Sequence, residues 1–361
     1  MKIIYSFGKV GFEADYWERE IAAASTAEYT FIPFNHAGYE KSSLFMRAQL
    51  LDNLYFENSA GLARLYANIE EKIRTEQADA LMVDTYNPYH PDYLRKLGIY
   101  KVLRINDGPM AAYDRDFAYL HAFDHVLYHS PAYSKDMQID EKLRYCRAKR
   151  IDFWPLGSFD ALCDRSMTEE DIKSKDRDID IAFVGALAPN KMPLIAAVKK
   201  AFGRRMKLYG LTNLKRNAYF NLKFGFPGWV KPLQFEQYVS LYQRTKIGIN
   251  VHNRGDYTVG GYRLFDLPAN GVMQISDGGP YLETFFEIGS EIESYRNADE
   301  LIDKIKYYLT HDTEREQIAL NGYRRLNRDY LMAHLLQKAG ALIKIGMEND
   351  FKSTNNFRKA S

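Results

Sequence analysis

Cysteine is nearly absent. Cys146 and Cys163 are the two in 361 residues, so neither a disulfide framework nor a cysteine zinc site has the ligands it needs. Long apolar runs are missing too; none approaches the ~18 residues of a membrane-crossing helix. The opening MKIIYSFGKVGF is a short apolar run ending in glycines, which predicts a first β-strand and not a secretory leader. A cytoplasmic location is the expectation. Charge excess is also lacking: 49 basic against 47 acidic side chains leave +2. That balance argues against nucleic acid as a partner, because nucleic-acid binding leaves a basic footprint. There is no His-Glu-x-x-His and no Cys/His cluster, so no metal or other cofactor is expected. The Asp-x-Asp pairs at Asp114–Asp116 and Asp178–Asp180 lack the setting of a nucleotide–Mg²⁺ site.

What the chain does have is enough apolar residue for two cores: 46% hydrophobic against 27% charged. Its length fits two domains of common size. Aromatics make up 14%, with 27 tyrosines, a composition that suits sugar stacking as well as ordinary cores. Short apolar runs at 2–7, 29–34, 80–84, 101–105 and 125–129 alternate with helix-like stretches. This predicts a parallel sheet wrapped by helices in residues 1–155. Charged and turn-prone residues at 156–178 read as a connector. Runs at 179–185, 206–209, 247–251 and 272–276, with helices between them, predict a second α/β domain over 179–330. Residues 331–361 are expected to be a C-terminal helix and polar tail. Two doubly wound units in tandem place a cleft between them, with ligands beyond the carboxyl ends of the strands.

The segment KIGINVHNRGDYTVGGYRLFDLPANGVMQISD runs a buried strand into a glycine-bearing loop and then into a helix opening near Tyr262. Gly260 and Gly261 would let backbone approach an anion at that helix start. Arg263, a cation in the first turn, opposes the helix dipole unless an anion is present. Asp266 follows one turn on, where a carboxylate can accept from both ribose hydroxyls. The alternative is that Asp266 merely favours the helix start and Arg263 pairs with it.

These residues resemble the C-terminal signature of group 1 glycosyltransferases with the GT-B architecture, two Rossmann-like doubly wound domains facing an interdomain cleft. Asp266-Leu267-Pro268-Ala269-Asn270-Gly271 is similar to that family's Glu-Ala-x-Ala-x-Gly run, with Asp for Glu. Arg263-Leu264-Phe265-Asp266 resembles the Arg-x-Phe-Glu of the spore-maturation-protein-like branch. DIDIAFVGALAPNK resembles the Val-Gly-Arg-Leu-x-Pro-x-Lys loop, with Gly185 and Lys191 on family positions and Ala186 in place of the arginine. Thr258 stands where the family's first acidic residue touches the sugar, with Asp256 nearby. The resemblance spans roughly residues 178–330. It implies a donor-binding set of Gly185, Lys191, His252, Gly260, Gly261, Tyr262, Arg263 and Asp266. It also implies a glycine loop facing the donor at Gly8 and Gly11.

For catalysis, Asp107 after the run at 101–105 is the expected base, with Asp15 second and His90 a lesser candidate. The expected function is transfer of a sugar from a nucleotide-diphosphate-sugar donor to a hydroxyl acceptor on a glycan, lipid-linked or protein-linked molecule. Two alternatives stay open: a non-catalytic nucleotide- or glycan-binding protein of this architecture, and a phage-type DNA-base glucosyltransferase. A basic cluster including Lys199, Lys200, Arg204, Arg205, Lys215 and Arg216 reads either as a solvated face or as a peripheral contact with anionic lipid or acidic glycan.

Overall fold

The computed structural model describes the chain apart from residues 85–86, 106–112, 135, 175, 211, 253–259 and 361. Asp107, Gly255, Asp256 and Thr258 lie outside the described residues. The chain divides into two compact units, Met1–Phe159 with Met332–Ser361, and Asp160–Leu331.

In the first unit the strands are β1 (Lys2–Phe7), β2 (Thr30–Asn35), β3 (Ala80–Asp84), β4 (Tyr100–Ile105), β5 (His125–Tyr128) and β6 (Ile151–Phe153). They pair in parallel in the order β2-β1-β3-β4-β5-β6. β3 is buried along its whole length and β1 from residue 3 onward. Such unbroken apolar runs are what strands covered on both faces require. Helix Ala60–Glu76 starts where the Ser59 hydroxyl accepts from the amides of Gly61 and Leu62, at 3.2 and 3.4 Å. Its Leu62, Leu65 and Ile69 enter the core with Leu81, Val83 and Leu103. Helix Met332–Ala360 joins this unit: Trp154 Nε1 donates to the Leu335 carbonyl at 2.6 Å.

The second unit carries β7 (Ile179–Val184), β8 (Met206–Tyr209), β9 (Thr245–Asn250), β10 (Met273–Ser276) and β11 (Glu293–Ser294). These are also parallel, in the order β11-β10-β9-β7-β8. β7 lies between β8 and β9, so the chain leaves β7 toward one edge and returns on its other side as β9. The loops after β7 and β9 therefore depart from neighbouring strand ends in opposite directions, the switch point where doubly wound sheets hold ligands. Ile181, Phe183, Ile247 and Ile249 form the centre of this unit's core. The segment expected as a connector is bound to the unit. Arg177 donates to the carbonyls of Tyr242, Thr245 and Asn270 at 2.8, 2.9 and 3.1 Å.

Candidate active site

At the switch point, helix Arg263–Ala269 lies against β9 and opens above the ends of β7 and β9. It can approach because β9 has Gly248 at the contact; a Cβ there would collide with the Leu267 side chain. The helix ends in a Schellman motif. The Gly271 amide donates to Pro268 at 3.0 Å and the Val272 amide to Leu267 at 3.1 Å, with Gly271 at φ +60°. Both ends of the helix are thus set, and with them the direction of Arg263.

The Arg263 guanidinium donates from Nε to the Val184 carbonyl and from Nη1 to Asn250 Oδ1 at 3.1 Å. Its Cζ lies 4.9 Å from the Phe183 ring centroid. Gly185 follows at φ +154°, and any Cβ there would run into this guanidinium. That glycine is a requirement of the arginine's seat. Asn250 also donates to Ser276 Oγ at 3.2 Å, so β9 and β10 share in holding the arrangement.

Lys191 stands at the start of helix Met192–Phe202 and is 4% exposed. Among the described residues its ammonium has no hydrogen-bond or ion-pair partner. Burial, and then the nearby Arg263 charge, push its pKa down to about 8, with Asp277 opposing. A buried lysine beside a second cation is held at an electrostatic cost that an anion between them would remove.

Asp266 is 6% exposed and lies one turn along the helix from Arg263. His252 is buried beyond β9. Its Nδ1–H donates to Asp277 Oδ1 at 2.8 Å, and its backbone amide donates to both oxygens of that carboxylate, at 2.8 and 3.1 Å. Gly260 is buried and Gly261 exposed, and Tyr262 stands at the N-cap position without a capping side-chain bond. The structure thus gathers Gly185, Lys191, Arg263 and the His252–Asp277 pair around one set of strand ends. Asn250 was not read as a site residue. The available signal for Asn250 was a polar residue closing the buried run Lys246-Ile247-Gly248-Ile249-Asn250.

In the first unit, Gly8 follows β1 and Gly11, at φ +57°, precedes helix Phe12–Ala23. Asp15 is exposed in the first turn of that helix. His90 holds a local structure: its Nδ1 accepts from the Asp92 amide at 3.1 Å, its Nε2 contacts Asp52 at 3.1 Å, and its ring stacks on Tyr55 with centroids 4.0 Å apart. Of the Asp-x-Asp residues, Asp116 is buried against Arg115, Asp178 pairs with Arg244, and Asp180 pairs with Arg205 and Lys246. No group of three or more metal-ligating side chains occurs among the described residues.

Residues 192–340 match the protein-family model described as glycosyl transferase-like. Solved structures share the fold over nearly the whole chain. Sucrose-phosphate synthase from Thermosynechococcus elongatus superposes with TM-score 0.64 at 12% identity, covering 96% of this chain and 99% of its own. HepE of Anabaena in complex with UDP-glucose gives 0.61 at 14% identity, covering 95% and 99%. A glycosyltransferase from Rickettsia africae gives 0.59 at 13% identity, covering 96% and 99%. No curated protein sequence matches. The second unit thus carries a glycosyl transferase-like domain over residues 192–340, and the chain as a whole has the fold of the GT-B glycosyltransferases.

Proposed function

We propose that the second unit binds a nucleoside-diphosphate sugar at the ends of β7 and β9. In this reading Lys191 and Arg263 receive the diphosphate, Asp266 the ribose, and the His252–Asp277 pair lies beside the sugar. The observation that carries it is Lys191, a buried cation next to Arg263 with no carboxylate paired to it among the described residues. Sugar transfer builds negative charge on the departing diphosphate, and two fixed cations stabilise that charge without reorganising. HepE, solved with UDP-glucose, supports UDP as the first nucleotide to test. The similarity of Arg263-Leu264-Phe265-Asp266 to the spore-maturation-protein-like branch supports a glycan or glycoconjugate hydroxyl, lipid- or protein-linked, as acceptor. We assign acceptor handling to the first unit, with Asp107 and Asp15 as candidate bases and Gly8 and Gly11 as the loop facing the donor. The transfer is read as metal-independent and cytoplasmic.

The test is a thermal-shift series with UDP, GDP, TDP, ADP and CMP on the parent and on Arg263→Ala. One nucleotide should raise the parent's melting temperature and have little effect on the variant. No shift with any nucleotide, or equal shifts in both proteins, would remove the donor site. Ala186, where related transferases carry a phosphate-gripping arginine, favours a second reading: a protein that holds the nucleotide without turnover. Slow release of free sugar from the donor without acceptor distinguishes the two, because hydrolysis needs a competent leaving-group site. Activity that survives EDTA supports the metal-free chemistry.

A further inference from the structure

From residue 181 to residue 235 the chain has seven lysines, three arginines and no acidic residue. The fold gathers this stretch at one edge of the second sheet. It supplies helix Met192–Phe202, the edge strand β8 and helix Leu214–Phe224. Among the described residues Lys200, Lys215, Arg216 and Lys223 form no ion pair, whereas Arg205 is neutralised by Asp180 at 2.6 Å.

Helix Leu214–Phe224 is firmly seated on one side. Phe220 is buried, and Asn217 exchanges hydrogen bonds with the Val230 backbone, receiving at 2.9 Å and donating at 3.2 Å. The strap 225–230 is tied to the same helix, since Asn221 donates to the Gly228 carbonyl at 3.1 Å. The opposite side is unusual for a solvated face. Leu222 is 90% exposed, Leu214 71%, Trp229 51% and Tyr219 42%. Lys215, Arg216 and Lys223 stand among them, with the Lys223 ammonium 5.2 Å from the Tyr219 ring centroid. A buried polar anchor thus fixes a helix whose outward residues are aliphatic, aromatic and cationic.

We propose that this face docks on the surface of an anionic lipid bilayer. The charge is of one sign, which matches a negatively charged leaflet. Protruding leucines have no donor or acceptor to offer a phosphodiester backbone or an acidic polysaccharide. Placed between lipid headgroups they leave water, while the tryptophan and tyrosine sit at the interface and the lysines and arginines meet the phosphates. No helix among the described residues is long and apolar enough to cross a membrane, so the contact is peripheral and reversible. The inference stands on the surface of the second unit and does not depend on the donor-site reading.

The experiment is sedimentation of the full chain with vesicles of phosphatidylcholine alone or mixed with phosphatidylglycerol, over a salt series. Binding is expected only to the mixed vesicles and should weaken as salt screens the charges. Lys215→Glu with Arg216→Glu should weaken it at least about twenty-five-fold, at roughly fivefold per positive charge lost. Leu222→Ser should lower binding at every salt concentration while the melting temperature stays put, because that side chain is 90% exposed; Trp229→Ser, at a half-buried side chain, should lower it too. Three results would each overturn the proposal: no binding to mixed vesicles, equal binding to both vesicle types, or variants that bind like the parent. Capture by heparin or duplex DNA without vesicle binding would overturn it too, and assign the face to a polyanion.

Discussion

Arg263 bridges the carboxyl ends of two neighbouring strands, from the Val184 carbonyl on β7 to the Asn250 side chain on β9. A planar fork with several donors can do this, and a point charge cannot. Arg263→Lys is therefore expected to behave almost as Arg263→Ala. The donor KM should rise at least about tenfold, or ~1.4 kcal/mol, and the nucleotide-induced thermal shift should vanish. Recovery of parent-like KM in the lysine variant would mean that charge alone suffices.

In the proposed donor site, Lys191 would tie donor affinity to pH. With its pKa near 8 in the ligand-free protein, the ammonium is mostly present at neutral pH and mostly lost by pH 9. UDP affinity measured by calorimetry should fall about tenfold between pH 7 and pH 9, and Lys191→Met should bind weakly with a flat profile. The stability of the free protein runs the other way. Its unfolded chain holds the proton up to about 10.5 and the folded one only to about 8, so stability rises across that window. Lys191→Met should accordingly melt above the parent when no ligand is present.

Gly248 sets how closely the Arg263 helix approaches β9. Gly248→Ala should cost about 1–3 kcal/mol of stability through overpacking against Leu267. It should also weaken nucleotide binding, although residue 248 need not touch the ligand. Shortening Leu267 to alanine in the same protein should restore part of that affinity, and a double-mutant cycle measures the coupling. Independent, additive losses would show that the contact does not position the arginine.

His36 predicts acid sensitivity. Burial, aided by the Arg115 charge, holds its pKa down at about 3, and its Nδ1 lies 2.9 Å from Ser6 Oγ. The unfolded histidine takes up a proton near 6.5 and the folded one does not until about 3. Stability is therefore complete above the first value and lost as pH falls toward the second, by about 1.4 kcal/mol per pH unit. Urea midpoints of the parent and His36→Gln at pH 7, 6 and 5 should converge as the medium acidifies. Parallel curves would show that His36 does not titrate this way.

Much of the architecture was legible along the chain. The limits expected for β1, β3 and β8 coincide with the observed ones, because each is a short apolar run closed by turn residues. The two- and three-residue strands β11 and β6 went unread, since so few residues carry no periodicity. Helix Leu214–Phe224 was missed as well: its outward face mixes exposed Leu214, Tyr219 and Leu222 with lysine and arginine while Asn217 is on the buried side, so the apolar residues do not mark which face is inward.

The chain by itself determined the α/β class, the alternation of strands and helices and the glycine, arginine and aspartate types at the proposed donor loop. Those follow from local patterns of burial and turn chemistry. Only tertiary structure decided that Gly185 makes room for Arg263, that Asn250 receives it, and that Asp277 orients His252. These partners meet because the parallel sheet brings strand ends together that are far apart in the chain, and no local pattern records which residues will face each other there. The same holds for Lys191. Its charge is written in the sequence, but its burial beside a second cation exists only once the strands have paired.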